Sequence, residues 1–257
     1  MKKTAISVFI ITLNEQKNIA RAIESAQFCD EIIVVDCGST DKTLEIVQSY
    51  GITPIHNDWP GYSKQKQFAM EQCKNDWVFN LDADEEISLP LAEKITAIIK
   101  QEQYTSIRCA RKDVFISKPP PNWTKKANNL RCYRKSMAQF DPKQLVHESA
   151  SVKGKEIYIK QFLIHYGYDD IHRLIDKKNS YSSLKAKEKH HRKKTYSLAK
   201  LLLIFPIVFI QQWIFNRKIF FGIRGIILSI IQAHYAFIKE AKLYELEENN
   251  RYNIEKE

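Results

Sequence analysis

The chain has 257 residues, 44% of them hydrophobic, and a formal net charge of +10. It is long enough to bury a sizeable core, as one large α/β domain or one domain with a helical appendage. Its charge favours anionic partners such as phosphorylated substrates, an acidic membrane surface or nucleic acid, and the five cysteines, odd in number and without Cys-x-x-Cys spacing, argue against a disulfide framework or a zinc site and for a reducing compartment.

The apolar run at 6–13 superficially resembles a short signal peptide. Asn14, Glu15, Gln16 and Lys17 stand where a small-residue cleavage site belongs, so the run reads as a buried strand over 6–12. Asn14 is placed to cap the next helix, in which Ile19, Ala22, Ile23 and Ala26 keep helical spacing. A second Ile/Val-rich strand covers 31–36 and a helix 40–50. A third strand is expected at 51–56, a helix at 64–73 and a fourth strand at 77–81. Ser88 and Pro90 announce a helix over 91–100. This alternation argues for parallel strands joined by right-handed helical crossovers.

From 104 to 164 strand-like pieces at 105–110, 130–134 and 156–164 lie between polar loops, and Pro119-Pro120-Pro121 marks an irregular excursion. Beyond 169 the pattern is helical: Ile171, Leu174, Ile175, Tyr181 and Leu184 leave a basic opposite face, and 185–194 is dense in Lys, His and Arg. Residues 201–216 carry no charge but include Pro206, Gln211 and Gln212; the next apolar stretch, 219–238, is interrupted by Arg224 and Gln232. Three readings stay open for this region: a hairpin inserted in the bilayer, a helix pair lying in the interface with the basic run facing anionic headgroups, or an ordinary core pair beside a solvated face.

Three polar clusters follow the strands: Thr12-Leu13-Asn14-Glu15, then Asp36 to Asp41, then Asp82-Ala83-Asp84-Glu85-Glu86. In a parallel sheet all three converge beyond the carboxyl ends, where ligands sit. Asp36 is suited to a base or ribose, Gly38 allows a tight turn, and Ser39 or Thr40 can cap the helix that follows. Asp82 and Asp84 can share a hard divalent ion, Mg²⁺ or Mn²⁺, with substrate phosphates. Such an ion stabilises a departing diphosphate as a Lewis acid. A dinucleotide-binding dehydrogenase and a P-loop enzyme are excluded, because the glycine-rich turns they need are absent. A phosphohydrolase would place its Asp pair after the first strand, with Thr where Glu86 stands. A basic lipid- or nucleic-acid-binding protein would need no metal.

The segments 11–15, 30–43 and 77–85 resemble glycosyltransferase family 2 enzymes of the GT-A fold, within them the lipopolysaccharide-core β-1,4-glucosyltransferase group. That group also matches Trp59 to Lys66, Arg131, His147-Glu148 and the His-Tyr-Gly-Tyr stretch at 165–168. The resemblance implies an α/β fold with a GT-A-type, mostly parallel nucleotide-binding sheet flanked by helices over 1–168, and a helical, membrane-associating region over 169–257. It implies that Thr12, Asn14, Glu15 and Asp36 line a uridine pocket, that Lys66 approaches the nucleotide or its phosphates, and that Asp82, Ala83 and Asp84 meet the ribose-diphosphate. Asp82, Asp84 and His165 would serve the metal, and Glu148 would be the general base of an inverting transfer. The implied partners are a UDP-sugar, a lipid-anchored saccharide and the anionic inner face of the cytoplasmic membrane, with no nucleic acid. Cys37 stands where many members have a second Asp, and the triple proline departs from the glycine-rich stretch expected there, so the acceptor site is expected to be reshaped.

Overall fold

The computed structural model describes residues 4–141, 149–168 and 170–254. The chain forms two compact units, Met1–Val114 with Lys126–Gly167, and Phe115–Lys125 with Tyr168–Glu257. The triple-proline excursion therefore groups with the carboxyl-terminal helices.

The first unit begins β1 (Thr4–Thr12), α1 (Ile19–Ser25), β2 (Cys29–Asp36), α2 (Thr43–Ser49), β3 (Ile55–His56), α3 (Tyr62–Glu71) and β4 (Trp77–Asp82). It continues with β5 (Glu85–Ile87), α4 (Leu89–Ile99), β6 (Ser106–Phe115), β7 (Ala127–Arg134), the short pair β8 (Ala138–Gln139) and β9 (Ser151–Val152), and β10 (Glu156–Tyr168). The central sheet runs in the order β3-β2-β1-β4-β7-β6-β10-β5. Strands β3, β2, β1 and β4 are parallel, and β4/β7, β7/β6 and β5/β10 are antiparallel.

Alternation along the strands sorts the core into two faces. Ile6, Val8 and Ile10 of β1 and Phe79 and Leu81 of β4 pack with α1, α2 and α4. Phe9, Val35 and Val78 pack with Ala69 and Met70 of α3 on the other face. Asp82, one residue beyond Leu81, turns toward the α3 face, and this is how it reaches a side chain of that helix.

Helices α3 and α4 start two residues earlier than expected, at Tyr62 and Leu89, and two other starts differ for a visible reason. Asn14 does not cap α1, which follows Asn18; Asn14 adopts a left-handed φ of 55° and its side-chain carbonyl accepts from the Thr40 amide at 2.8 Å. Helix α2 starts at Thr43 rather than Thr40, because Asp41 accepts from the Thr43 amide at 3.0 Å and holds the preceding residues in a loop. The third strand is reduced to Ile55–His56.

The second unit contains α5 (Ile171–His191), α6 (Leu198–Ile210), a π turn at Gln211–Phe215, a 3-10 turn at Lys218–Phe221 and α7 (Ile223–Ile254). Helices α5 and α6 both pack on α7. The α7 seam is Ser229, Ala233, Ala236, Glu240 and Leu243, whose alternating spacings of four and three keep one narrow stripe buried. Helix α6 has no buried residue.

Candidate active site

Register brings the three polar clusters to one edge. Thr12 lies beside Asp36 across β1/β2, and Ile11 lies beside Asp82 across β1/β4. The first two loops are stitched together by side chains. The Asn14 amide donates to Ser39 Oγ at 2.8 Å, the Glu15 amide to Thr43 Oγ1 at 2.8 Å and the Gln16 amide to Asp41 at 3.2 Å. Asp36 is buried, and its carboxylate accepts from the Gly38 and Ser39 amides at 2.8 and 2.9 Å and from Ser39 Oγ at 2.5 Å. Thr12 is also buried, and its Oγ1 has no hydrogen-bond partner among the described residues. Glu15 Oε2 accepts from Asn18 at 2.8 Å.

The loop after β3 is fastened by Gln65, which exchanges hydrogen bonds with Asn57 at 2.6 and 3.2 Å. Trp59 stands edge-on to Tyr62 with ring centres 4.7 Å apart. This anchoring seats α3 so that Lys66, itself buried, puts its ammonium 3.0 Å from Asp82 Oδ1. The other oxygen of Asp82 accepts from Arg131 at 2.7 Å, and the same Arg131 nitrogen donates to Glu85 at 2.5 Å. Arg131 is the extra residue of a β-bulge: Ile107 pairs with Cys132 and Arg108 with Leu130, leaving Arg131 unopposed. Bulges re-aim side chains in this way. Burial alone would raise the pKa of Asp82, but Arg131 and then Lys66 hold it well below the ordinary carboxylate range. Burial pushes Glu85 the other way, with Arg131 offsetting part of the rise and the Asp82 charge adding to it.

Asp84 belongs to a second cluster. Strand β5 pairs with β10 so that Glu85 lies opposite His165. His165 Nε2 is 3.2 Å from Asp84 Oδ2, and its Nδ1 is 2.8 Å from Asp113. Burial opposes the imidazolium, yet the Asp84 charge and the hydrogen bonds to Asp113 and Asp84 outweigh it and raise the pKa to about 9. Gly167 keeps this corner open: a Cβ there would fall 2.6 Å from His165 Nε2 and 2.7 Å from Asp84 Oδ2. Tyr166 completes the edge, its amide donating to Asp84 O at 2.8 Å and its hydroxyl to Glu86 at 2.6 Å. Ala83 turns its methyl into the core beside Leu81 and Ile87, so its backbone alone faces outward.

Residues 7–160 match the sequence profile of Glycosyl transferase family 2. The chain belongs to that family. As a family 2 glycosyltransferase it is 35% identical over 95% of its length to the lipopolysaccharide core biosynthesis glycosyltransferase LpsC of Rhizobium meliloti, 93% of which is covered. It is 36% identical over 98% of its length to an uncharacterized glycosyltransferase of Rickettsia typhi, covering 90% of that chain. Among solved structures, S. aureus TarS 1-349 in complex with UDP-GlcNAc shares the fold, with a TM-score of 0.51 and 17% identity over 96% of this chain and 92% of the other.

Of the sequence-expected residues, Thr12, Asn14, Glu15, Asp36, Lys66, Asp82, Asp84 and His165 all lie in the first unit. Glu148 and His147 lie outside the described residues. Arg111 and Asp113 went unnoticed in the sequence, and Glu85 was read only as a member of the third polar cluster, with no role of its own. Arg111 and Asp113 are two apart on β6, with Arg111 Nε 2.9 Å from Asp113 and its Nη1 3.7 Å from Glu85. A charged pair at strand period in a mostly buried segment was the available signal.

Proposed function

We propose that this family 2 enzyme transfers a hexose, glucose from UDP-glucose, onto a heptose of the lipopolysaccharide inner core with inversion. The observation that carries this is the placement of Asp82 and Asp84 in two different charge clusters on one sheet edge. Asp82 is neutralised by Lys66 and Arg131, whereas Asp84 stands beside an imidazole in a corner cleared by Gly167. The likeness to LpsC supports the acceptor class.

In this reading Asp36, Asn14, Glu15 and the buried hydroxyl of Thr12 receive the uridine. Lys66 and Arg131 fix Asp82 toward the ribose-diphosphate. The donor set fits a hard divalent cation: one carboxylate and one imidazole nitrogen meet where a glycine leaves room, and Mg²⁺ or Mn²⁺ is commonly completed by substrate phosphates and water. Asp84 and His165 would hold it, with His165 oriented from behind by Asp113. When bound, the ion offsets charge on the leaving diphosphate. Glu148, from the family resemblance, takes the proton of the acceptor hydroxyl, and the oxygen attacks from the face opposite the nucleotide. The second unit associates with the inner face of the cytoplasmic membrane, where a lipid-anchored acceptor is found.

The test offers purified enzyme a panel of nucleotide sugars with inner-core acceptor, with and without Mn²⁺, and determines the product linkage by NMR. A β-linked hexose formed only with cation is expected, and Glu148→Gln should lower turnover by about 10²–10⁴ while leaving donor affinity intact. Transfer at full rate in chelator, or by the variant, would sink the mechanism.

A further inference from the structure

The second unit joins a bare apolar helix to a knot of lysines. Leu202, Leu203, Ile207, Ile214 and Phe215 are each at least half exposed, and across Leu198–Phe215, with mean hydropathy 1.9, no residue is buried. By length and composition alone this segment could cross a membrane. At its start, three ammonium groups from three helices converge on one carboxylate oxygen. Glu240 of α7 faces Lys189 of α5, Lys200 of α6 at 3.5 Å and its own neighbour Lys239 at 3.9 Å. Glu240 is buried, but the Lys200 side chain is 49% exposed, so the knot is open on one side. A single carboxylate cannot neutralise three ammoniums, and of the three Lys200, beside the apolar helix, presents the surplus charge most openly while Lys189 and Lys239 are largely covered.

We infer that the second unit binds an anionic bilayer in plane, with α6 and the turns after it lying at the headgroup–acyl boundary and Lys189, Lys200 and Lys239 taking a lipid phosphate. This deepens the membrane association proposed above and rests on it.

The packing of α6 on α7 argues for lying in the surface rather than crossing. Lys200 meets Glu240, and Tyr196, just before α6, stands edge-on to Tyr244 with ring centres 4.8 Å apart. The far end of α6 reaches the turn that opens α7, so the two helices run antiparallel. A crossing α6 would carry Gln232 of α7 near mid-depth and Arg224, Lys239 and Glu240 to the edges of the hydrocarbon, and polar groups at those depths are disfavoured. Helix α6 also contains Pro206 and ends in a π turn bearing Gln211 and Gln212, which suits a boundary helix with one wet side. Trp123, 71% exposed and 6.4 Å from Phe220, supplies an aromatic anchor of the kind enriched at that depth.

The experiment measures co-sedimentation of the full chain with phosphatidylcholine vesicles, with and without phosphatidylglycerol. Binding should need the anionic lipid and weaken steeply with salt. The double variant Lys200→Gln/Lys239→Gln should lose about tenfold or more of the affinity for anionic vesicles, and little of the residual affinity for neutral ones. Should that variant misfold, the salt titration of the wild type decides alone. The emission that Ile207→Trp adds to that of the four native tryptophans should be quenched more by bromine placed shallow in the acyl chains than by bromine placed deep. Equal binding to both vesicle types, or a flat salt response, overturns the phosphate site while leaving membrane association standing. Stronger deep quenching overturns the in-plane placement, and no binding to either vesicle overturns both. Donor turnover on the same sample reports separately on the transferase.

Discussion

Asp82 and Asp84 are two residues apart and live in different electrostatic worlds. Asp82 is held by two cations, one from a helix and one from a bulged strand, so its orientation is fixed before any donor arrives. Replacing Arg131 by Met leaves the buried Glu85 and the partly exposed Asp82 without their shared counter-charge. Breaking such a pair costs about 3–5 kcal/mol, and thermal denaturation should register a large fall in Tm. The corner at Asp84 depends instead on room. Gly167→Ala puts a methyl against both His165 Nε2 and Asp84 Oδ2; calorimetry should show at least about a tenfold loss of Mn²⁺-dependent UDP affinity, since displaced donor groups of a metal site cost about that much. Unchanged affinity would mean that this corner does not hold the cation. His165 adds a pH signature. Its folded pKa of about 9 lies above the ordinary 6.5, so the imidazolium contributes stability that is fully present below pH 6.5 and lost as pH rises through 9. In chelator the Tm should decline across that window, and His165→Gln should flatten the decline.

At the scale of elements, the site is assembled by connections that local sequence does not advertise. The pairing of β5 with β10 sets His165 opposite Glu85, 80 residues earlier in the chain. The bulge that aims Arg131 leaves a trace only after the fact: Leu130 and Tyr133, three apart, pack on the same face. In the second unit, Gly225 allows the start of α7 to close on the preceding turn. A Cβ there would sit 1.9 Å from the Lys218 carbonyl oxygen. Gly225→Ala should therefore destabilise this turn by about 1–3 kcal/mol; faster proteolysis near 218–225 is the readout, and wild-type resistance would refute the close approach.

On the scale of the molecule, two units have different ways of burying their surface. The first closes a sheet between helices on both faces, with separate clusters around Ile10 and around Phe9. The second packs α5 and α6 on α7 through one narrow seam and leaves α6 bare. Family membership over residues 7–160 falls within the span of the first unit apart from its excursion at 115–125, which belongs with the helices.

The sequence by itself determined the strand–helix alternation of residues 6–100, the family and the three polar clusters after strands. These are local signals: apolar period, turn chemistry and short motifs, each read within about a dozen residues. It also marked 169 onward as helical from the spacing of Leu174 and its neighbours. Only the tertiary structure decided that Asn14 braces a second loop instead of capping a helix, that Asp82 and Asp84 part company, that Arg111 and Asp113 support the site, and that three lysines meet at Glu240. Each of these depends on partners 26 to 81 residues away in the chain, brought together by sheet register or helix packing, and a one-residue shift in register would have sent the same side chains to the opposite face.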